Sequence, residues 1–308
     1  MENSMISTIL GSLVNVALVL IIAPFCQGVL RKITAIVQSR KGPPIWQSYY
    51  DLLKLLGKED LESGDSPIMQ RFAAYLSLTT VLAVACLIPM GFAAPMNGEG
   101  DALLLIYLLT LSGISTLLVG LAAGSTYSLV GISRQMMTMI ALEPIFAVTI
   151  VIGAIHTQSF RLDTVLNGSV YVQQGFPWSG LVMLGVTLLS FQAFVERMPF
   201  DIAEAETELM EGPLMEYSGP KLALLKYASM VKLIIYSALF IAIFAPWGSE
   251  FPFPVAWLLF WAKVFVLVLL VTVVAATHAR YRIDQAIRYF ASLLVAAFGA
   301  LVLASYGF

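Results

Sequence analysis

The sequence has few charged residues and only two cysteines. Charged side chains make up 12% of the 308 residues, whereas roughly 25% is typical of a soluble chain. Cys26 and Cys86 lie in apolar stretches, without the spacing of a zinc site, an iron–sulfur site or a disulfide framework. This composition excludes a soluble enzyme, a disordered chain and a secreted disulfide scaffold, and no strongly basic segment indicates nucleic-acid binding.

The sequence is instead rich in long runs of apolar residues. Hydrophobic residues make up 59% of the chain, and a helix crossing a bilayer needs about 20 of them. Continuous runs of this length are typical of helices, whereas barrel strands are short and alternating. The sequence therefore predicts an all-α integral membrane protein, a single polytopic domain over residues 1–308. We expect about eight transmembrane helices, at residues 7–30, 72–94, 102–123, 136–156, 179–196, 222–246, 255–277 and 286–305.

Lysine and arginine are concentrated in alternate loops. Most of them follow the first, third, fifth and seventh apolar runs, whereas the opposite loops contain only Arg161. Because positive charge stays on the cytoplasmic side, we expect a multi-pass protein of the cytoplasmic (inner) membrane with both termini outside. The first run is too long for a signal sequence, so we expect it to be retained as a span. The two large loops, residues 31–71 and 197–221, are then cytoplasmic and form the working surface.

The loop at residues 31–71 combines a basic turn with a short amphipathic helix. The turn contains Arg40, Gly42 and Pro43, and the helix contains Asp51 and Lys54. Its aromatic and leucine side chains could lie on lipid headgroups, or they could form a docking site for another protein. The spacing alone leaves both interpretations open.

The second loop is rich in acidic residues. If Pro199 begins a short helix and Pro213 ends it, four of these carboxylates share one helical face and Glu206 points elsewhere. Closely spaced carboxylates cannot all ionise in a low dielectric, so the cluster is expected to hold and relay protons. The alternative is a solvated acidic loop. The acidic residues are Glu196, Asp201, Glu204, Glu206, Glu208, Glu211 and Glu216, and the four on one face are Asp201, Glu204, Glu208 and Glu211.

Several ionisable residues lie inside apolar runs, and three of them are candidates for a functional role. Glu143 is expected near the middle of the membrane, where a charge is costly and commonly marks an ion pathway. The adjoining Pro144 removes a backbone hydrogen bond and makes room for water. Lys232 and Lys263 could pair with carboxylates or stay buried and neutral. We include Glu143, Lys232 and Lys263 in a candidate proton path with the acidic loop, while a structural role for Glu143 remains the alternative.

Three motifs resemble one family of membrane proteins. The first is Arg-Lys-Gly-Pro at 40–43, followed by Asp-Leu-Leu-Lys-Leu-Leu at 51–56. The second is Ser-Arg at 133–134, followed by Leu-Glu-Pro at 142–144. The third is Pro-Phe-Asp-Ile-Ala-Glu-Ala-Glu-Thr-Glu-Leu at 199–209, with Glu-Tyr-Ser-Gly at 216–219. Together they resemble the membrane subunit shared by respiratory complex I (subunit 1, or H) and the energy-converting nickel–iron hydrogenases.

The resemblance implies a subunit that anchors a peripheral electron-transfer arm to a membrane arm. Glu143 matches the family's intramembrane glutamate, and the acidic loop matches the start of its proton path. The expected partners are hydrogenase large and small subunits, an iron–sulfur subunit and antiporter-like membrane subunits. The nickel–iron centre and the iron–sulfur clusters belong to those partners, so this chain holds no cofactor and performs no redox step. We expect the peripheral arm to dock at Arg40, Gly42, Pro43, Asp51, Lys54 and Arg134.

One detail favours the hydrogenase branch. Complex I subunits usually continue the acidic motif as Glu-Leu-Val-Ala-Gly, whereas residues 208–212 read Glu-Leu-Met-Glu-Gly, the form of the formate hydrogenlyase, hydrogenase-4, Ech and CO-induced types. The resemblance therefore implies a subunit that couples proton reduction to the translocation of H⁺ or Na⁺. The alternatives are a quinone-site subunit of NADH:quinone oxidoreductase, a freestanding secondary transporter and an inert anchor.

Overall fold

The computed structural model describes residues 2–61, 66–92, 94–96, 100–172 and 176–307. In these ranges the chain forms eleven α-helices and no β-strand apart from one isolated bridge between Asp101 and Arg161. The helices are α1 (Glu2–Val37), α2 (Gln47–Leu56), α3 (Pro67–Leu87), α4 (Ala102–Ala123), α5 (Thr126–Thr157), α6 (Leu162–Val165), α7 (Trp178–Phe194), α8 (Glu206–Leu209), α9 (Gly219–Phe244), α10 (Val255–Thr277) and α11 (Ile283–Ser305).

The predicted fold class is confirmed. In the described part of the chain, seven helices are long and apolar enough to cross a membrane: α1, α3, α4, α5, α9, α10 and α11. The remaining predicted run forms α7, whose 17 residues reach the lower limit of the roughly 17–25 that a span requires. The protein is therefore a multi-pass, all-α membrane protein.

Helix α9 lies at the centre of the bundle. It contacts α1, α2, α3 and α10, and 83% of its most apolar window is buried inside the protein. Its buried residues include several small ones, such as Ala223, Ala228, Ser237 and Ala238, and small side chains allow helix backbones to approach closely. A side chain placed on α9 is therefore shielded from lipid by its neighbours.

The turn between α4 and α5 is shorter than the sequence suggested. Gly124 ends α4 in the left-handed region at φ 70°, a conformation that glycine adopts without steric cost. Ser125 then caps α5, because its side chain accepts a hydrogen bond from the Ser128 N–H at 3.3 Å. Arg134, which we expected in a loop, consequently lies within the third turn of α5.

The α2–α3 connection and the connection that leads into α9 meet at one end of the bundle, which we call the charged end. The N–H of Leu61 donates to Ser218 Oγ at 3.2 Å, and Lys221 forms an ion pair with Asp60 at 3.2 Å. These contacts join the α2–α3 connection to the start of α9. The acidic segment, residues 195–218, lies at this end.

Candidate functional site

The acidic segment does not form the single helix that we predicted. Only α8 is helical, and Met210 and Glu211 follow it with positive φ angles of 52° and 70°, which end a right-handed helix. A short 3₁₀ turn at Gly212–Leu214 completes the segment. The prediction that four carboxylates share one helical face is therefore wrong. Asp201 is paired with Arg280 and Glu208 with Arg134, whereas Glu204 and Glu211 line a cavity. The side chain of Glu206 lies outside the described residues.

Glu196 is the best-connected carboxylate of the segment. Lys232, in the middle of α9, donates to Glu196 Oε1 at 2.7 Å, and Gln135 of α5 donates to the same oxygen at 2.7 Å. Lys232 is 8% exposed, so the pair is largely shielded from solvent. Glu196 itself has a positive φ of 55°, a costly conformation that is concentrated at functional sites. This pair links the acidic segment to the interior of the bundle.

Three arginines hold the segment in place, two of them through ion pairs. Arg280 forms an ion pair with Asp201 at 3.1 Å, and Arg197 donates to Gln27 Oε1 at 2.8 Å. Near the start of α5, Arg134 forms an ion pair with Glu208 at 2.6 Å. This hydrogen bond from Arg134 holds the pKa of Glu208 below its usual range. Glu208 is therefore expected to remain ionised near neutral pH.

Glu204 is the carboxylate of the segment best suited to exchange protons. Burial, together with the negative charges of Asp201 and Glu196, raises its pKa to about 7 against the lowering effect of Arg197. Burial also raises the pKa of Asp201, although Arg280 and Arg197 oppose that effect. A carboxyl group with a pKa near the working pH can both accept and release a proton.

Two adjoining cavities connect the charged end to Glu143. The larger, of about 520 Å³, is lined by groups of both signs, including Arg31, Arg197, Glu196, Asp201, Glu204 and Glu211. The smaller, of about 60 Å³, is lined by Glu143, Thr110, Thr138 and Tyr236. Gln135, Glu196 and Lys232 line both. The pair at Glu196 therefore stands between the two cavities.

Glu143 lies near the middle of α5, at the wall of the smaller cavity. A methyl group added at Gly113 of α4 would lie 2.6 Å from Met139 Sδ and 3.1 Å from Glu143 Oε1. The absence of a side chain at Gly113 therefore leaves the space that this carboxyl group occupies. A buried water needs roughly 10–15 Å³ of such space and several polar partners, so the smaller cavity can hold water between Glu143 and Glu196.

One of the predicted path residues, Lys263, lies elsewhere. Lys263 of α10 donates to the carbonyl oxygens of Ala245 and Trp247 and lies over the Trp247 ring, 3.9 Å from its centroid. Ala245 is about 20 Å along α9 from Lys232, so the structure does not bring Lys263 to the acidic segment. Glu216 is half-buried just before α9.

Three of the predicted docking residues line a third cavity, of about 430 Å³. Arg40, Gly42 and Pro43 line it, and it shares Gln27, Arg31 and Arg197 with the larger cavity. Asp51 pairs with Arg31 at 2.6 Å. Burial tends to raise the pKa of Asp51, but hydrogen bonds from Arg31 and Gln47 outweigh this and lower it. Lys54 is exposed on α2. These residues lie together at the charged end, and Arg134 is tied to the acidic segment through Glu208.

Sequence reasoning missed several residues of the site. Gln27 and Gln135 are polar residues at the edges of apolar runs, and that position was the available signal. Gly113 is one of 22 glycines, and nothing in the sequence distinguishes it from the others. Arg280 was counted only for its charge, yet it neutralises Asp201.

No metal site accompanies these groups among the residues that the structure describes, where no three His, Cys, Asp or Glu side chains are arranged to hold an ion. The polar side chains of the site include carboxylates, cations and amides. Such groups can bind, position and pass protons.

The comparisons with known proteins agree on one family. The family model described as NADH dehydrogenase matches residues 10–305. Hydrogenase-4 component C of Escherichia coli (strain K12) is 34% identical over 88% of this chain and 86% of its own length. Formate hydrogenlyase subunit 4 of the same organism is 29% identical over 90% of this chain and 92% of its own.

The fold also has a close counterpart among solved structures. A chain of the membrane-bound sulfane sulfur reductase, an archaeal respiratory membrane complex, superposes with a TM-score of 0.85 at 23% identity, covering 96% of this chain and 99% of that one. This likeness concerns the fold alone. Because the family model spans nearly the whole sequence, the chain belongs to the NADH dehydrogenase subunit 1/H family.

Proposed function

We propose that this chain is the membrane-anchoring, ion-coupling subunit of an energy-converting nickel–iron hydrogenase complex. The support for the hydrogenase branch is the likeness to hydrogenase-4 component C and formate hydrogenlyase subunit 4 over nearly the full chain. In this proposal the large and small hydrogenase subunits, an iron–sulfur subunit and antiporter-like membrane subunits are its partners. The nickel–iron centre and the iron–sulfur clusters reside in those partners, and this chain supplies no redox step.

The proposed arrangement places the charged end in the cytoplasm, facing the peripheral arm. The third cavity, with Arg40, Gly42 and Pro43, and the α2 residues Asp51 and Lys54 then form the docking surface together with Arg134. Both termini lie on the outer side of the inner membrane. The lysine and arginine distribution supports this orientation.

The observation that carries the coupling role is the continuity of ionisable groups from the acidic segment to Glu143. A charge change in the docked arm shifts the proton affinity of Glu204, whose pKa of about 7 makes it responsive near neutrality. Protons pass through the larger cavity to the Glu196–Lys232 pair, and then through water in the smaller cavity to Glu143. Lys232 holds Glu196 in place, and Gln135 bridges to it from α5.

The energetics of this coupling are reasonable. Moving one charge against 100 mV costs about 2.3 kcal/mol, whereas two electrons falling through about 100 mV release about 4.6 kcal/mol. One ion translocated for each hydrogen molecule therefore leaves a margin. The arrangement of carboxylates serves H⁺ directly, and Na⁺ is a second possible cargo.

The decisive experiment is Glu143→Gln in the assembled complex, with hydrogen production and the ion gradient measured together in sealed vesicles. We expect the gradient to be lost while hydrogen evolution continues, because a side-chain amide neither takes up nor releases a proton by titration near neutral pH. Glu59→Gln is the matched control, since Glu59 is exposed at the charged end. Wild-type values of both quantities in Glu143→Gln would make the chain an inert anchor.

A second candidate is a quinone-site subunit of NADH:quinone oxidoreductase, which the description of the family model favours. The composition of the purified particle distinguishes the two. A large subunit with nickel supports the hydrogenase, and a flavin and quinone module supports the alternative. If the chain were a freestanding transporter, the purified chain alone would carry ions across the membrane of liposomes.

A further inference from the structure

A separate pocket lies at the opposite end of the bundle from the acidic segment, beside the last turn of α9. Its volume is about 360 Å³, and we call it the far pocket. It is bounded by the end of α9, the start of α10, the α3–α4 connection, and α6 with the residues that follow it. It shares no lining residue with the two cavities that lead to Glu143. The far pocket is therefore a site distinct from the proposed ion path.

Lys263 supplies a positive charge to the far pocket. Its ammonium group donates to the carbonyl oxygen of Ala245 at 2.8 Å and to that of Trp247, and it lies 3.9 Å from the centroid of the Trp247 ring. All of these partners are neutral. Lys263 forms no ion pair with any residue that the structure describes, whereas a charge taken out of water is normally paired. The ammonium group therefore has room for an anionic partner.

The carboxylate nearest to hand in the lining is already paired. Asp163 lines the far pocket, but Arg161 Nη2 lies 3.0 Å from its Oδ2, and its Oδ1 accepts from the Thr164 N–H at 2.8 Å. Asp163 is consequently not available to neutralise Lys263. Asn167 and Ser249 add an amide and a hydroxyl group to the lining. A ligand with an anionic group beside neutral hydroxyls suits this set of side chains.

The ammonium group of Lys263 lies close to the end of a membrane span. Helix α10 is long and apolar enough to cross a membrane, and Lys263 follows its first residue, Val255, by about 12 Å. Side chains tilt toward the N-terminus of their helix, and the bond to the Trp247 carbonyl, which precedes α10, shows that this one does so. A lysine in this position keeps its stem in the apolar layer and its charge at the interface. The ammonium group is therefore at the depth of lipid headgroups.

Much of the remaining lining of the far pocket is apolar. It includes Phe92, Ile241, Leu259 and Phe260. Beside it, the turn between α9 and α10 exposes the rings of Trp247, Phe251 and Phe253, each by more than half. Exposed aromatic rings at the end of a span are typical of the membrane interface. The far pocket therefore lies where the bilayer supplies molecules with an anionic head and apolar chains.

We propose that the far pocket binds the phosphate of an anionic phospholipid from the leaflet at that end, with Lys263 as its counter-charge. Two N–H groups of the ammonium are taken by carbonyl oxygens, and the third donates to the phosphodiester. The acyl chains lie along Leu259 and Phe260. A free phosphate ion would meet the same cation but would leave these apolar walls uncovered, which favours the lipid. The site does not depend on the proposed function, since it uses none of the groups that lead to Glu143.

The test uses the purified assembly containing the full chain, placed in nanodiscs of phosphatidylcholine mixed with phosphatidylglycerol. Native mass spectrometry after partial delipidation counts the phosphatidylglycerol that each intact particle retains. Lys263→Gln should weaken the retention of one phosphatidylglycerol about fivefold, the factor expected for one lysine near a lipid surface, and Lys263→Arg should restore most of it. Because Lys263 also holds the end of α9, a second variant leaves it in place. Ala256→Phe fills the pocket that Ala256 lines, and it should lose the same lipid.

Ala262→Phe and Lys32→Gln are the matched controls. Ala262 is exposed on α10 outside the lining, and Lys32 is exposed near the charged end, so both variants should retain phosphatidylglycerol like the wild type. The proposal is overturned unless Lys263→Gln and Ala256→Phe both reduce the count. Equal loss of phosphatidylcholine and phosphatidylglycerol would also overturn it, because Lys263 would then not select the anion. Displacement of the lipid by excess inorganic phosphate would assign the site to a free anion instead.

Discussion

Lys232 Nζ lies 2.7 Å from Glu196 Oε1, joining the middle of the central helix α9 to the first carboxylate of the acidic segment. The two residues are 36 positions apart in the chain. Both residues line the larger cavity and the smaller one. Their contact therefore lies between the two cavities, on the proposed route to Glu143.

Removing the cation from this pair should lower the free energy of unfolding substantially. Lys232→Met leaves Glu196 without its counter-charge in a mostly buried setting, and such a loss typically destabilises by about 3–5 kcal/mol. Because the Glu196 side chain keeps 26% of its exposure, we expect the lower part of this range. The measurement is the free energy of unfolding in detergent. Lys32→Met is the control, and it should change this free energy by less than about 0.5 kcal/mol. Adding Glu196→Gln to Lys232→Met should recover part of the loss, and strictly additive effects would contradict the coupling.

Gly113→Ala should impair ion translocation without removing any ionisable group. The new methyl group would meet Met139 Sδ at 2.6 Å and Glu143 Oε1 at 3.1 Å, so the carboxyl group must move within its small cavity. We expect the ion gradient per hydrogen molecule to fall several-fold in vesicles of the assembled complex. Gly185→Ala on α7 is the control, because a methyl group there meets nothing within 4 Å. Equal gradients in both variants would show that the position of Glu143 is not critical.

The titration of Glu204 should make stability depend on pH. Its pKa in the folded protein is about 7, against 4.5 for an unperturbed glutamate. Between these values the folded state binds more protons than the unfolded state, so this group lowers stability as pH rises from about 4.5 to about 7 and adds no further loss above that. Glu204→Gln should flatten this decline in thermal unfolding profiles. Glu59→Gln serves as the control, and an unchanged slope in Glu204→Gln would contradict the assignment.

The ion pair between Arg134 and Glu208 should matter much less for stability. The Glu208 side chain is 52% exposed, and exposed pairs contribute about 0.2–1 kcal/mol. Glu208→Gln should therefore lower the unfolding free energy by less than about 1 kcal/mol at neutral pH. Because Arg134 lowers the pKa of Glu208, that contribution is present at neutral pH and is lost as the carboxylate becomes protonated in acid. Reversing the pair, with Arg134→Glu and Glu208→Arg together, should restore most of the wild-type value. A loss well above 1 kcal/mol in Glu208→Gln would indicate a further partner.

The sequence predicted the acidic segment but not its conformation. Seven carboxylates between residues 196 and 216 are visible by composition alone, and the two prolines suggested a helix. The left-handed backbone of Met210 and Glu211 breaks that helix, and Gly212 packs so closely on Ala203 that a methyl group there would lie 2.3 Å from its carbonyl oxygen. Such packing depends on neighbouring backbone, which periodicity does not encode.

The sequence by itself determined the class of the protein, because apolar runs of spanning length have few alternatives to helices in lipid. It also determined that Glu143 lies within a span, since its position in the run fixes its depth. Only the tertiary structure decided that Lys232 and Gln135, 36 and 61 residues from Glu196, converge on one of its oxygens, while Lys263 lies at the other end of α9. Which charges meet depends on how the helices pack and which side of each one faces inward, and that is a property of all the helices together.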